Sequence, residues 1–178
     1  MYRPGHIGVG LLVYAPFGYA LLAGGRGVLA VVGGALLVAL AMAPDLDMRV
    51  PGATHRGASH TLLCALCVGA GFGAIGWALA SAVGGGGATI AEGVVLRVAA
   101  VSPIELGAFG LLLGVLVVCS HLLADLLTPM GIAPFWPLSS KRYSLGVVNA
   151  SNPIANVLLL GLGVLATAGA LLLVRPLG

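Results

Sequence analysis

Residues 104–127 read IELGAFGLLLGVLVVCSHLLADLL, an apolar run that ends in a short polar cluster. A helix that crosses the hydrocarbon of a bilayer needs about 20 apolar residues, so this run is long enough. The whole chain has the same character, because 60% of its 178 residues are hydrophobic and 7% are charged. Soluble domains carry about 25% charged residues. The composition therefore excludes a soluble globule, a disordered chain and a nucleic-acid reader, and it predicts an integral membrane protein.

Four further runs resemble residues 104–127. Glycines at 24, 25 and 27 predict a hairpin between the first two runs, and the glycine run at 84–87 ends the third. Residues 88–102 carry Glu92 and Arg97, so we expect an interfacial connector there. Only helices and closed barrels satisfy their backbone groups in hydrocarbon. The predicted fold is an all-α polytopic bundle of about five transmembrane helices, forming one membrane domain over residues 1–178. The predicted spans are 7–23, 28–43, 61–83, 104–127 and 153–174.

The ionisable side chains are distributed unevenly about this topology. With five crossings, the N-terminal tail and the loops after spans two and four emerge on one face of the membrane. That face receives every histidine and aspartate of the chain: His6, Asp45, Asp47, His55, His60, His121 and Asp125. An ionised group at the centre of a spanning helix costs about 3 kcal/mol, so such a cluster needs compensation. Imidazoles and carboxylates together are typical ligands of a borderline divalent metal, and we predict a metal site at this face.

Spacing within the motifs supports this prediction. His121 and Asp125 are one helical turn apart, so both side chains project from the same helix face. Of Asp45 and Asp47, one can bind the metal while the other caps a helix or orients a ligand. The stretch at 55–60, HRGASH, offers two further candidate ligands on either side of Arg56, whose planar guanidinium suits a phosphate group.

These motifs, in this order, resemble the YdjM-like family of membrane-bound metal-dependent hydrolases. The resemblance runs from His6 to about Gly146 and includes the stretches PDLD at 44–47, HRGASHT at 55–61 and SHLLAD at 120–125. The family is similar to zinc phospholipases C and single-strand nucleases. It implies phosphoester hydrolysis and a zinc cluster, although the additional ligands of the soluble enzymes have no counterpart after Asp125. One or two ions are therefore expected. The residues that the resemblance matches to metal positions are His6, Asp45, His55 or His60, His121 and Asp125.

The leading hypothesis is a hydrolase that cleaves a phosphoester of a lipid or lipid-linked substrate. Zinc lowers the pKa of its bound water to about 7 and thereby supplies hydroxide. We expect Asp47 to orient a ligand or accept a proton, and Arg56, Lys141 and Arg142 to bind phosphate oxygens. The alternative is a non-catalytic metal-binding protein, or an ion or proton transporter that uses the same cluster. Haem is less compatible with neighbouring carboxylates, and a purely structural or partner-binding protein would make the cluster coincidental.

The loop at 129–152 and the positive charges bear on orientation. Phe135 and Trp136 suit the headgroup level of a membrane. The predicted site face carries five basic residues (Arg3, Arg49, Arg56, Lys141 and Arg142), and the other carries three (Arg26, Arg97 and Arg175). The positive-inside rule then predicts a cytoplasmic site.

Overall fold

The computed structural model describes residues 1–52, 54–84 and 101–174. Within these ranges the chain contains five helices that are long and apolar enough to cross a membrane. The predicted all-α class is confirmed, since the described residues add to these helices only two 3-10 helices, turns and one isolated β-bridge. The α-helices are α1 (Arg3–Ala23), α2 (Gly27–Leu40), α3 (Leu62–Gly84), α4 (Pro103–Leu126) and α5 (Pro153–Val174).

Two helix boundaries differ from the predicted spans by more than one residue, and both do so for local reasons. Helix α1 begins at Arg3, ahead of the apolar run, because Pro4 occupies its first turn, where a missing N–H costs nothing. Helix α2 ends at Leu40, and a 3-10 helix at Pro44–Arg49 extends the second apolar segment to Arg49. Pro44 cannot donate the hydrogen bond that would continue an α-helix. The predicted hairpin lies between α1 and α2, with Gly25 at a φ of 72°.

The chain forms two compact units. One comprises Met1–Cys64 and Leu116–Gly178, and the other comprises Ala65–Val115. In the first unit α1 packs along α5 so closely that a Cβ added at Gly8 would overlap the backbone of Leu159. The Tyr14 hydroxyl in α1 donates to the carbonyl oxygen of Ala30 in α2 at 2.8 Å. Small residues permit such approaches between membrane helices, where close packing is a main source of stability.

In the second unit, glycines of α3 face glycines of α4. A Cβ added at Gly76 or Gly110 would overlap a backbone carbonyl of the opposing helix. Tight glycine-mediated packing is therefore present within this unit as well. The predicted connector at 88–102 falls almost entirely outside the described residues.

The loops of the first unit shape the end of the bundle. A 3-10 helix at Ala58–His60 precedes α3, and the loop after α4 turns back at Gly131, which has a φ of 59°. Ile132 and Tyr143 then form an antiparallel bridge, with N–H···O distances of 3.0 and 2.8 Å. The Leu62 N–H donates to the Pro134 carbonyl oxygen at 2.9 Å and so joins this loop to the start of α3.

Candidate metal centre

In two buried histidines, His6 and His121, the ring nitrogen Nδ1 faces a backbone carbonyl oxygen and points away from the cluster. His6 Nδ1 lies 3.2 Å from the Tyr2 carbonyl oxygen, and His121 Nδ1 lies 2.8 Å from the Ala41 carbonyl oxygen. A carbonyl oxygen can only accept a hydrogen bond, so in both rings Nδ1 carries the hydrogen and donates it. In the neutral imidazole the Nε2 lone pair then points inward. Metal-binding histidines typically donate their other ring N–H in this way.

The His60 ring is oriented in the same way, but its Nδ1 faces side-chain oxygens and not a backbone carbonyl oxygen. Its Nδ1 lies 2.9 Å from Ser59 Oγ and 3.4 Å from Asp47 Oδ2. The Ser59 hydroxyl donates to Asp47 at 2.6 Å, so its oxygen is left to accept from His60 Nδ1. The Nε2 atom of His60 therefore also carries its lone pair toward the centre of the cluster.

The inward atoms converge. His60 Nε2 lies 3.2 Å from His121 Nε2, and both lie 3.3 Å from Asp45 Oδ1. Asp125 Oδ2 lies 3.4 Å from His60 Nε2 and 3.7 Å from His121 Nε2. Tetrahedral bonds of about 2.0 to 2.2 Å to a zinc ion would place ligand atoms about 3.4 Å apart. These four side chains could therefore hold a metal ion.

The hydrogen bonding of the cluster also fits a cation. In the described part of the chain, His6 Nε2 and Asp125 Oδ2 are buried without a hydrogen-bond partner. His6 Nε2 lies 3.5 Å from Asp125 Oδ1, and the His6 ring stacks on His121 with centroids 4.1 Å apart. Lone pairs that face one another in a buried site are costly unless a positive charge lies between them. A divalent ion would supply that charge.

Burial distinguishes Asp45 from the other candidate ligands. The side chains of His6, His60, His121 and Asp125 are 0 to 1% exposed, whereas that of Asp45 is 17% exposed. Solvent or a substrate would therefore reach an ion in the cluster from the side of Asp45.

Arg56 fixes the other oxygen of Asp125. Its Nη2 donates to Asp125 Oδ1 at 2.6 Å, while Nη1 donates to Thr128 Oγ1 at 3.2 Å and to the Gly131 carbonyl oxygen at 3.0 Å. The amino group of Met1 lies 3.3 Å from the same Asp125 oxygen. The Arg56 side chain is 5% exposed, so it forms a buried ion pair, and the backbone at Arg56 adopts a φ of 58° to place it there.

Asp47 lies behind the cluster. Its Oδ2 accepts from Ser59 Oγ and from the Arg56 backbone N–H at 3.2 Å, and its Oδ1 lies 3.1 Å from His55 Nδ1. Asp47, His55 and His60 form a second group with metal-ligating atoms in reach of one another. His60 approaches Asp47 through Nδ1, which lies 3.4 Å from Oδ2, and this nitrogen donates its hydrogen to Ser59 Oγ. The geometry therefore suits Asp47 better as the residue that orients His60.

The charge around His60 affects its protonation. Burial by itself would lower the pKa of this imidazole, but hydrogen bonds to Asp125 and Asp45 and the negative charges of Asp125 and Asp47 outweigh burial. The pKa of His60 is consequently raised above its ordinary value. The same surroundings that favour a proton on His60 favour a metal ion beside it.

The two basic loop residues predicted to bind substrate, Lys141 and Arg142, make their described contacts with residues outside the cluster. Lys141 Nζ lies over the Tyr143 ring, 5.3 Å from its centroid, and Arg142 Nε lies 3.4 Å from the Met130 carbonyl oxygen. Arg142 does share a cavity of about 560 Å³ with Arg56 and Asp47. Sequence reasoning missed the supporting roles of Ser59 and Thr128. The position of Ser59 next to a candidate ligand was the one available signal for it.

The comparisons with known proteins bear on identity. A family model described as YdjM inner membrane protein matches residues 1–175, nearly the whole chain. No curated protein and no solved structure gives a significant match. Together with the five apolar helices, the family match establishes a multi-pass membrane protein. The chain therefore belongs to the YdjM inner membrane protein family.

Proposed function

We propose that this protein is a membrane-embedded, metal-dependent hydrolase that cleaves a phosphoester of a lipid or lipid-linked substrate. The observation that carries the proposal is the convergence of His60 Nε2, His121 Nε2 and two carboxylate oxygens at separations of 3.2 to 3.7 Å. The outward nitrogen of each ring is held by an acceptor, so the ligands are preorganised. Nitrogen and carboxylate ligands at tetrahedral spacing favour zinc.

The residues of the chain have distinct roles in this proposal. A bound zinc ion supplies an acidified water and a positive charge for the phosphate. Asp47, through Ser59, fixes the tautomer and orientation of His60. Arg56 holds Asp125 so that one carboxylate oxygen faces the metal position. Asp45, the most exposed ligand, marks the side from which the phosphoester approaches.

Substrate binding is supported by the charges around the adjoining cavity. Arg142 and Arg56 both line it, together with Ser59 and Trp136. Arg142 is exposed, so its guanidinium is available for nonbridging phosphate oxygens at the membrane surface. Arg56 Nε is buried without a hydrogen-bond partner among the described residues, although its Nη atoms are engaged by the protein.

A second candidate function, a metal site without catalysis, is favoured by one observation. Four protein ligands fill a tetrahedral coordination sphere, whereas catalytic zinc sites retain an open position. The deep burial of His60, His121 and Asp125 is also compatible with an ion that stabilises the bundle end. The two candidates differ in whether Asp45 can leave or share the ion during turnover.

The test combines metal analysis with turnover. The protein is purified in detergent without chelators, its metal content is measured by mass spectrometry, and hydrolysis of a chromogenic phosphodiester and of a phospholipid is followed. We expect bound zinc and turnover in the wild type, with both lost in His121→Ala. Tyr14→Phe is the matched control, because it removes a buried hydrogen bond in the same unit away from the cluster.

The outcomes separate the candidates. Metal with no turnover of either substrate would support the non-catalytic site and reject the hydrolase. Folded protein that turns over the substrates without bound metal would reject both candidate functions. Chelation should lower the melting temperature of the wild type and leave that of His121→Ala unchanged.

The site face is proposed to be cytoplasmic. The count of basic residues supports this, although Arg56 is buried in an ion pair and does not act as a free loop charge. Five crossings would place the two chain ends on opposite faces. A reporter fused after Gly178 should therefore report an extracytoplasmic location, and a cytoplasmic signal would reverse the assignment.

A further inference from the structure

A second cavity of the first unit is apolar and lies beside the loop that follows α4. It has a volume of about 600 Å³, within the range of about 300 to 1,000 Å³ typical of ligand pockets. Leu122, Leu123 and Leu126 of α4 form one wall. Ile132 and Phe135 from the loop, with Leu62 at the start of α3, form much of the rest.

Several of the large apolar side chains that line this cavity are exposed, as expected of a surface that contacts acyl chains. Leu123 is 45% exposed and Phe135 is 48% exposed, and Leu145 at the rim is 63% exposed. Large apolar side chains exposed together mark a binding surface in soluble proteins, and in a membrane protein they face acyl chains. The neighbouring Trp136 is 45% exposed, as expected of an aromatic residue at the headgroup level.

One cation borders both this apolar cavity, which we call the apolar groove, and the polar cavity that Asp47, Arg56 and Ser59 line. Arg142 lines both cavities. Its described hydrogen bond, to the Met130 carbonyl oxygen, uses Nε at 3.4 Å. A guanidinium at the edge of an apolar groove is complementary to a ligand that has an anionic group attached to a hydrocarbon chain, because each part of the ligand meets its own surface.

We propose that this groove binds an anionic phospholipid, with one acyl chain against α4 and the phosphate paired with Arg142. The occupant follows from the charge of Arg142, the exposed apolar walls and the bilayer that surrounds the helices. The headgroup would then extend into the cavity that Asp47, Arg56 and Ser59 line. This inference deepens the proposed function, because it uses the same Arg142 and the same class of ligand. Lipid binding itself requires neither a metal ion nor turnover, so a failure of binding and a failure of hydrolysis are distinguishable results.

The experiment measures lipid binding to the purified full-length protein. A fluorescent short-chain phosphatidylglycerol is titrated into protein in a neutral detergent, and competition is measured with phosphatidylcholine, with an uncharged diacylglycerol and with inorganic phosphate. We expect Arg142→Gln to weaken phosphatidylglycerol binding about tenfold, the effect of losing one charge-assisted hydrogen bond. Leu123→Trp, which narrows the groove, should weaken it by a similar factor.

Matched controls address general effects of charge and bulk. Arg49→Gln removes an exposed cation that lies on neither cavity, and Leu158→Trp enlarges an exposed apolar side chain of α5. Both should bind within about twofold of the wild type. Equal binding of phosphatidylglycerol and diacylglycerol, or an Arg142→Gln variant that binds normally, would overturn the role of Arg142. Complete displacement by inorganic phosphate alone, or normal binding by Leu123→Trp, would overturn the acyl-chain groove.

Discussion

Asp125→Asn should destabilise the metal-free protein mainly through Arg56. The substitution keeps the size of the side chain but removes its charge, while the guanidinium stays 5% exposed and donates to Thr128 and Gly131. Removing one partner of a buried ion pair costs about 3 to 5 kcal/mol, because the other charge is left uncompensated. At about 3 °C per kcal/mol for a chain of this length, the melting temperature should fall by about 10 °C.

A double-mutant cycle isolates this pair. Arg56→Met should cost a similar amount, since it removes the 2.6 Å guanidinium partner of Asp125 and leaves the Met1 amino group, at 3.3 Å, as the remaining cation beside that oxygen. The double variant Arg56→Met/Asp125→Asn contains neither charge, so its loss should be about 3 kcal/mol smaller than the sum of the two single losses. Thermal unfolding in detergent, followed by circular dichroism with chelator present, measures each term. A control cycle of Arg56→Met with Tyr14→Phe should be additive. Additivity in the Arg56–Asp125 cycle would refute the reasoning.

Three further predictions concern the cluster and the helix packing. Metal affinity, measured by competition with a chromogenic chelator, should fall from pH 8 to pH 7. In that range an ordinary histidine, with a pKa of about 6.5, is largely neutral, whereas the raised pKa of His60 lets protons compete with the metal. A pH-independent affinity would contradict this. Asp47→Asn or Ser59→Ala should weaken metal binding about 10- to 100-fold in the same assay while the fold is retained. Losses of this size are typical of residues that orient a metal ligand. An unchanged affinity would show that Asp47 and Ser59 do not orient His60. Gly8→Ala should lower the melting temperature by several degrees, because the added Cβ would overlap the backbone of α5. Gly161→Ala is the control and should leave the melting temperature unchanged, because no atom lies within 4 Å of its added Cβ. Equal effects of the two substitutions would contradict the packing argument.

The fold was accessible from the sequence because membrane helices depend on local properties. Run length and hydropathy defined five helices, and glycine marked the first hairpin. The boundaries at Arg3 and Leu40 were less accessible, because proline at a helix start and a 3-10 continuation change a helix end without changing the apolar run. Hydropathy reports where a chain can cross a bilayer and says little about where its hydrogen bonding changes.

The site was accessible only in part. The one-turn spacing of His121 and Asp125 predicted that both lie on one face of their helix. The order of the membrane spans predicted that Asp45 and His60 lie at the same membrane face as this pair. The direction of Arg56 could not be read from its neighbours. It depends on a positive φ and on acceptors at Thr128 and Gly131, 72 and 75 positions away, and no periodicity encodes such contacts. The same is true of the carbonyl oxygen of Ala41, which fixes the tautomer of His121.

These contacts explain how the cluster can be stable and still be able to receive a divalent cation. Two carboxylates at the buried end of a bundle need positive charge nearby, and Arg56 supplies only part of it. The remainder can come from a proton on His60 or from a divalent cation among the Nε2 atoms. Because both occupy the same lone pairs, binding the cation displaces the proton, and the outward hydrogen bonds of His6, His60 and His121 are retained in either state. The bundle end therefore needs no rearrangement to receive a divalent ion, and the proposed hydrolytic function would require this preorganisation.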